Sequence, residues 1–267
     1  MCPELITYHG TTVSSYTTMM ALALFVSVYL AARECEKRRL RLTPLVGLLI
    51  FAAGYMGARL LYVIQEEGLS RIWRAAQFWQ PGLVFHGGLV AGALVFLVYL
   101  RIRRIPLIDA LDIAAPYAAL GEAIGRVGCL LNGCCWGTAT LAPWALTYPP
   151  GSFPFTQQLE AGILAAGAQS SLPVHPTPIY LTIGLTLVFV ILKRSLDWSA
   201  FAGVTILLYA LLQGILRFAV ECYRGDVTPI LWGLTWGQWI SAALVAVSAA
   251  MLLLAYRRHQ ERWTARY

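Results

Sequence analysis

The sequence GRVGCLLNGCCWG, Gly125–Gly137, closes one of the most apolar stretches of the chain, which runs over residues 107–131. An apolar stretch of this length can cross a bilayer, since a transmembrane helix needs about 20 residues. Its end is unusual, because it carries an arginine, an asparagine, three cysteines and four glycines. A charge within a span costs a few kcal/mol and normally faces a protein interior or a cavity. The stretch therefore predicts a membrane helix that ends in a polar site.

The whole chain has the composition of a polytopic membrane protein. Its 267 residues are 58% hydrophobic and 12% charged, with a mean hydropathy of +0.65, whereas soluble domains carry about 25% charged residues. The first ten residues lack the basic segment of a signal peptide, so we expect the first apolar run to be retained. We predict a single all-α membrane domain over 1–267, with seven transmembrane helices at about 16–32, 44–64, 83–100, 107–131, 176–192, 200–221 and 232–255.

The basic residues are divided unevenly between the two sides of this seven-span arrangement. Fourteen of the 20 Lys and Arg residues follow spans 1, 3, 5 and 7, and three lie on the opposite side. Because basic loops stay in the cytoplasm, we predict an external N-terminus, a cytoplasmic C-terminus and an external loop over 138–174. The same asymmetry explains the net charge of +7, so we expect no nucleic-acid partner.

In this topology the polar residues of five spans share one depth, toward the outer leaflet. His86 and His175 begin spans 3 and 5, while Arg59, Arg126 and Arg217 stand near the outer ends of spans 2, 4 and 6. Polar residues with unrelated structural roles are not expected at a common depth. Their coincidence indicates one functional layer.

Two of these arginines are spaced to meet a carboxylate on their own helix. Arg126 follows Glu122 by four residues, so the two side chains share one helix face. Arg217, Glu221 and Arg224 form a stripe at i, i+4 and i+7. Two arginines that bracket a carboxylate, as in this stripe, suit a phosphate clamp whose geometry the acid holds. A structural ion pair at Arg126 and an interfacial side chain at Arg224 remain alternatives.

The histidines and the cysteines of these motifs each allow more than one interpretation. His86 precedes Gly87 and Gly88 and could act as a general base or have a structural role. His175 precedes a Pro-Thr-Pro sequence, which favours a turn that enters span 5.

For the thiols Cys129, Cys134 and Cys135, the pattern C-x4-C-C is not a familiar zinc spacing. A nucleophilic thiol would need a nearby cation to lower its pKa, and Arg126 stands close in sequence. We expect no metal and no cofactor, and we leave the nucleophile open.

Taken together and in order, these motifs resemble those of the prolipoprotein diacylglyceryl transferases. The matching segments are GARLLY at 57–62, HGG at 86–88, GRVGCLLNGCCWG at 125–137, HPTPIYL at 175–181 and RFAVECYR at 217–224. The resemblance extends over nearly the whole chain and implies seven spans with an external N-terminus.

The resemblance also implies a reaction, its partners and a location. The diacylglyceryl group of phosphatidylglycerol passes to the lipobox cysteine thiol of a prelipoprotein, a thioether forms and glycerol phosphate leaves. The partners are phosphatidylglycerol, the prelipoprotein signal peptide and the lipid bilayer, and the site faces the outer leaflet of the bacterial plasma (inner) membrane. A related lipid-group transferase with another acceptor is one alternative. A non-catalytic lipid-binding or transport protein is another, although transporters commonly contain repeats, which this sequence lacks.

Residue roles follow from the matched positions. The resemblance implies phosphate binding by Arg126 and Arg217 and a catalytic base at His86. The other predicted substrate-binding residues are Asn132, Gly137, Glu221, Arg224, Arg59, Cys129, Cys134, His175 and Tyr180. The chain departs from the family pattern at Cys129, Cys134, Pro178, Leu181 and Gln213. The phosphate-handling arginines match the family, whereas several of these departures fall at positions that shape the acceptor side. The implied lipid donor is therefore better supported than the implied acceptor.

Overall fold

A computed structural model describes residues 4–8, 11–40, 43–77, 82, 84–165, 167–199 and 201–264. The α-helices are α1 Ser15–Lys37, α2 Pro44–Tyr62, α3 Phe85–Arg103, α4 Leu107–Asn132, α5 Phe153–Glu160, α6 Thr177–Trp198, α7 Val204–Glu221 and α8 Trp236–Thr264. A π-helical turn, Val63–Glu67, and a 3₁₀ segment, Leu69–Ala76, follow α2.

The membrane-spanning helices confirm the predicted helical membrane fold in its coarser form. Among the described residues, six helices are long and apolar enough to cross a membrane: Ser15–Lys37, Leu45–Glu67, His86–Arg103, Thr177–Trp198, Val204–Glu221 and Trp236–Glu261. The predicted fourth span is also a helix, α4 with 26 residues. It is not among these six, because acidic residues and Arg126 lower its hydropathy. The seventh span and the orientation of the termini stay predictions.

Three helices continue beyond the predicted spans at their basic ends. α1 reaches Lys37, α6 reaches Trp198 and α8 reaches Thr264, whereas the apolar runs end at 32, 192 and 255. Hydropathy shows where an apolar segment gives way to polar residues. Glu, Lys and Arg are good helix formers, so the helix itself continues past that point.

A short antiparallel hairpin is the one correction to the all-α prediction among the described residues. β1, Glu4–Tyr8, pairs with β2, Thr11–Ser14, with Ile6 opposite Val13 and a register irregularity between Glu4 and Ile6. These strands are rich in Thr, Ile, Val and Tyr, which favour extended backbone. The segment is too short and too polar for hydropathy to detect.

The chain divides into two compact units, residues 28–111 and residues 1–27 with 112–267. In the first, α2 and α3 approach closely where glycines meet. A Cβ on Gly57 would lie 2.5 Å from the Gly87 carbonyl oxygen, and one on Gly88 would lie 2.9 Å from that of Gly54. Small residues at helix contacts permit this separation in membranes. The glycines after His86 therefore serve the packing of α3 on α2.

In the second unit, Asp112 fastens α4 to the beginning of α7. Its buried carboxylate accepts hydrogen bonds from the backbone N–H groups of Gly203, at 2.6 Å, and Ile206, at 2.8 Å. An acid at a helix N-terminus satisfies unpaired N–H groups and interacts favourably with the helix dipole. Farther along, Ala123 of α4 packs against Leu181, Leu185 and Val220. These contacts set the polar face of α4 beside α7.

Candidate active site

A polar row connects α4 to α7. Arg126 Nη2 lies 2.9 Å from Glu122 Oε1, and Gln213 Nε2 donates to Glu122 Oε2 at 2.7 Å. Arg217 lies one helical turn beyond Gln213, and the charges of Arg126 and Arg217 are close enough to interact. One carboxylate thus orients Arg126 and links the two helices that carry the predicted phosphate-binding arginines.

Glu221 lies between the side chains of Arg217 and Arg224. Arg217 Nη2 is 2.8 Å from Glu221 Oε2, and Arg224 Nη1 is 3.7 Å from the same oxygen. The Glu221 side chain is only 3% exposed. A buried carboxylate needs compensation of this kind, since an unpaired buried charge is strongly destabilising.

Arg224 is bound differently from Arg126 and Arg217. Its Nε donates to Asp226 Oδ1 at 2.8 Å and its Nη2 to Asp226 Oδ2 at 2.6 Å, a two-pronged contact. Burial lowers the pKa of Arg224, but the hydrogen bonds and the charge of Asp226 outweigh it and raise that pKa. The planar donor fork of Arg224 is therefore occupied by protein, which favours a positioning role. Sequence analysis missed Asp226, although the spacing Arg-Gly-Asp places an acid within reach.

Residues at the beginning of α8 contact the Glu221 carboxylate. Thr235 Oγ1 donates to Glu221 Oε1 at 3.0 Å, and a Cβ on Gly237 would lie 2.5 Å from the same oxygen. Thr235 and Gln238 also form a capping box, because Gln238 N donates to Thr235 Oγ1 at 3.2 Å and Thr235 N donates to Gln238 Oε1 at 2.9 Å. The sequence TWGQ carries this signal, which sequence analysis did not use.

Gly137 lies where three chain segments meet. Its N–H donates to the His175 carbonyl at 2.9 Å, and the next residue, Thr138, donates to the Tyr223 carbonyl at 2.8 Å. A Cβ on Gly137 would lie 2.5 Å from His175 Cβ and 2.6 Å from Tyr223 O. The residues after α4, before α6 and after α7 are thereby joined at one point, where Gly137 also pairs with Arg224.

His175 and Tyr180 belong to an aromatic network. Trp144 Nε1 donates to the Tyr180 hydroxyl at 2.7 Å, and that hydroxyl lies 3.0 Å from His175 Nδ1. The Tyr180 hydroxyl therefore bridges the Trp144 indole and the His175 ring. The His175 ring also meets Tyr223 edge-on at 5.0 Å between centroids. His175 therefore packs among aromatic side chains at the turn that enters α6, as the entry-turn interpretation proposed. Its contact with substrate stays a prediction.

The cysteines gather at the turn that ends α4. Cys134 N donates to the Cys129 carbonyl at 3.1 Å and Gly133 N to the Leu130 carbonyl at 3.3 Å, with Gly133 at φ 73°. This pair of bonds is a Schellman motif, whose left-handed residue is normally glycine. Cys135 also has a positive φ, of 60°. The sulfur atoms of Cys129, Cys134 and Cys135 all lie within 4.8 Å of one another.

Electrostatics distinguish Cys135 within this group. Hydrogen bonds from the Cys129 and Cys134 thiols lower the pKa of Cys135, and the charges of Arg224 and Arg126 act in the same direction against burial. Asn132 is the last residue of α4 and stands two positions before Cys134.

His86 and Arg59 lie in the other unit. His86 is the second residue of α3 and its side chain is exposed. Arg59 is 1% exposed, donates from Nη1 to the Gly82 carbonyl at 3.3 Å, and lies 5.3 Å from the centre of the Tyr62 ring. Arg59 thus contacts residues of its own unit, residues 28–111. The base role of His86 and a substrate contact by Arg59 stay predictions.

Comparison with known proteins identifies the family of the chain. A family model described as prolipoprotein diacylglyceryl transferase matches residues 3–254. A phosphatidylglycerol--prolipoprotein diacylglyceryl transferase of Parasynechococcus marenigrum (strain WH8102) is 29% identical, over 97% of this chain and 95% of that protein. Proteins of the same name from Clostridium tetani (strain Massachusetts / E88) and Xanthomonas oryzae pv. oryzae (strain PXO99A) are 27% and 34% identical, over 92% and 78% of this chain and 95% and 72% of their own length. With its arginine pairs and glycine junction in place, the chain belongs to the prolipoprotein diacylglyceryl transferase family.

Proposed function

We propose that this chain transfers the diacylglyceryl group of phosphatidylglycerol to the lipobox cysteine of a prelipoprotein. The observation that carries the proposal is the pair Arg126 and Arg217, on neighbouring helices and each held by an acid. Family membership supports the same chemistry. We further propose seven spans with a cytoplasmic C-terminus and a site toward the outer leaflet of the bacterial plasma membrane, on the asymmetry of the basic loops.

The arginines match the charge change of the reaction. The acceptor thiolate forms an S–C bond to the glyceryl carbon while the C–O bond to phosphate breaks. The phosphate then changes from a singly charged diester to a doubly charged monoester. The predicted base, His86, accepts the proton that the thiol loses.

Donors aimed at this growing charge bind the transition state more tightly than the ground state, which accelerates the reaction. Each arginine makes its acid contact through one Nη atom, so other N–H groups of the fork remain for phosphate oxygens. Both side chains are at most one quarter exposed, and partial exclusion of water strengthens such contacts.

The remaining site residues have supporting roles in this proposal. Glu122, Gln213 and Glu221 orient the arginines, and Arg224 with Asp226 holds the segment after α7. Gly137 joins the three segments at the site. Asn132, His175 and Tyr180 lie on the segments that Gly137 joins, where acceptor contacts are expected.

The test uses purified protein in phosphatidylglycerol vesicles with a synthetic lipobox peptide, read by mass spectrometry. The peptide gains a diacylglyceryl group, and a peptide with serine in place of cysteine gains nothing. Arg126→Ala and Arg217→Ala each lose a charge-assisted contact worth about 1.5–3 kcal/mol, a rate loss of roughly 10- to 150-fold. Lysine rescues poorly because the planar fork is lost.

The matched control is Arg38→Ala. Arg38 also pairs at i, i+4 with a buried acid, Glu34, at 2.7 Å, so the substitution carries a similar structural cost away from the site. Wild-type rates in both site variants would remove the arginines from the mechanism. Consumption of phosphatidylglycerol without peptide modification would indicate a different acceptor.

A further inference from the structure

The proposed transfer assigns no chemical step to the three thiols at the end of α4, and the substrate-binding roles of Cys129 and Cys134 stay predictions. Cys129, Cys134 and Cys135 place their sulfur atoms within 4.8 Å of one another. Thiolates bound tetrahedrally to Zn²⁺ at about 2.3 Å stand about 3.8 Å apart. Each pair of sulfurs therefore needs to close by no more than about 1 Å, which side-chain rotation provides.

Backbone conformation and backbone hydrogen bonds hold the three cysteines close together. The Schellman motif returns Cys134 over Cys129, and the left-handed conformation of Cys135 turns its side chain toward the other two. The Cys135 carbonyl accepts a hydrogen bond from Thr177 Oγ1, at the start of α6. Two residues later the chain is fixed again at Gly137. The thiols are thus gathered by folding before any ligand binds.

A second observation concerns the hydroxyl group of Tyr148. The Tyr148 side chain is 0% exposed, and its hydroxyl has no hydrogen-bond partner among the described residues. Burial, followed by the charges of Cys134 and Cys135, raises the pKa of Tyr148 to about 12. Buried hydroxyl groups nearly always have a partner. A bound water would supply one.

We propose that Cys129, Cys134 and Cys135 bind one Zn²⁺ ion through their three thiolates, with a water in the fourth position. Zn²⁺ fits better than Cu⁺, because three thiolates around Zn²⁺ carry a net charge of −1 instead of −2 in a half-buried turn. Mg²⁺ and Ca²⁺ do not fit, because they require oxygen ligands. Metal binding replaces the thiol protons, which leave to solvent, and involves no oxidation or reduction.

The unfamiliar spacing C-x4-C-C argued against zinc along the chain, but the Schellman turn brings the ligands together in space. The role is structural: the ion would pin the end of α4, the helix that carries Arg126, to the segment that leads to Gly137. Zinc binding is independent of the proposed transfer, so the test needs neither lipid nor peptide.

Reduced protein in detergent is first stripped with a chelator and then titrated with Zn²⁺ against a chromophoric competitor. We expect one Zn²⁺ per chain and a higher thermal unfolding midpoint. Co²⁺ in place of Zn²⁺ should give a thiolate-to-metal absorption band with an intensity of three thiolates. Cys129→Ser, Cys134→Ser and Cys135→Ser should each weaken Zn²⁺ binding at least tenfold.

The controls are Cys222→Ser and Cys35→Ser, which change an exposed and a buried thiol outside the cluster and should leave binding unchanged. Cys134 is half-exposed, so its serine variant still folds if the buried Cys129 variant does not. Zn²⁺ binding by the triple-serine variant equal to wild type would overturn the proposal. So would tighter binding of Cu⁺ than of Zn²⁺, or a disulfide within the cluster that persists under reducing conditions.

Discussion

Gly137→Ala tests whether this glycine serves packing or the approach of substrate. An added Cβ would meet His175 Cβ at 2.5 Å, Tyr223 O at 2.6 Å and His175 O at 2.7 Å. Carbon–carbon contacts in proteins are favourable near 3.5–4.0 Å. All three atoms belong to the backbone or its first side-chain carbon, so none of them rotates out of the way. The segments themselves must separate.

The magnitude follows from these contacts. Overpacking of a filled site costs about 1–3 kcal/mol. Separation of the segments also weakens at least one of the two backbone hydrogen bonds there, from Gly137 N to His175 O at 2.9 Å and from Thr138 N to Tyr223 O at 2.8 Å, for about 1 kcal/mol more. The expected destabilisation is about 2–4 kcal/mol, or a fall in the unfolding midpoint on the order of 4–16 °C.

The assay measures thermal unfolding and peptide modification on the same purified samples. Gly137→Ala should lower both the midpoint and the rate. The control is Gly92→Ala in α3, where the nearest atom to the new Cβ is at 3.4 Å and alanine is the better helix former by about 1 kcal/mol. A Gly137→Ala protein that unfolds like wild type but has lost activity would refute the packing argument and assign the glycine to the substrate.

Four further outcomes are expected. An impermeant maleimide added to intact cells should label Leu141→Cys, whose position is 99% exposed, but not Arg103→Cys; external labelling at 103 would reverse the topology. Gln213→Leu, which removes the 2.7 Å bond to Glu122, should slow transfer about 5- to 10-fold for a net loss of about 1 kcal/mol, with a wild-type rate contradicting the link. Protein incubated with phosphatidylglycerol alone should carry no covalent lipid by intact-mass spectrometry, since a cysteine nucleophile would leave a stable adduct. His86→Ala should lose activity at every pH with an unchanged unfolding midpoint; retained activity would exclude His86 as the base.

The helices were predictable from sequence because hydrophobicity and helix propensity are local properties. The i, i+4 pairs of Arg126 with Glu122 and of Arg217 with Glu221 were predictable for the same reason, since helix geometry alone brings them together. The bond from Gln213 to Glu122 was not, because it joins residues 91 positions apart on different helices. In sequence, Gln213 stood out only as a departure from the family pattern. Its contact explains how an amide serves there: it donates to the acid that orients Arg126.

The turn that carries Cys129, Cys134 and Cys135 was predictable from the end of the helix, although not from the spacing of the cysteines. A metal pattern read along the chain assumes that ligands must recur at familiar intervals, and C-x4-C-C does not. Yet an apolar helix that ends in Asn132-Gly133 predicts a left-handed residue at the glycine, and a Schellman motif then returns Cys134 to the carbonyl of Cys129, five residues earlier. Cys135 follows at once, so the three thiols converge as a consequence of the helix end. The same turn separates Arg126 from Gly137, so we expect a ligand held by the thiols to influence the placement of Arg126, the predicted phosphate-binding residue.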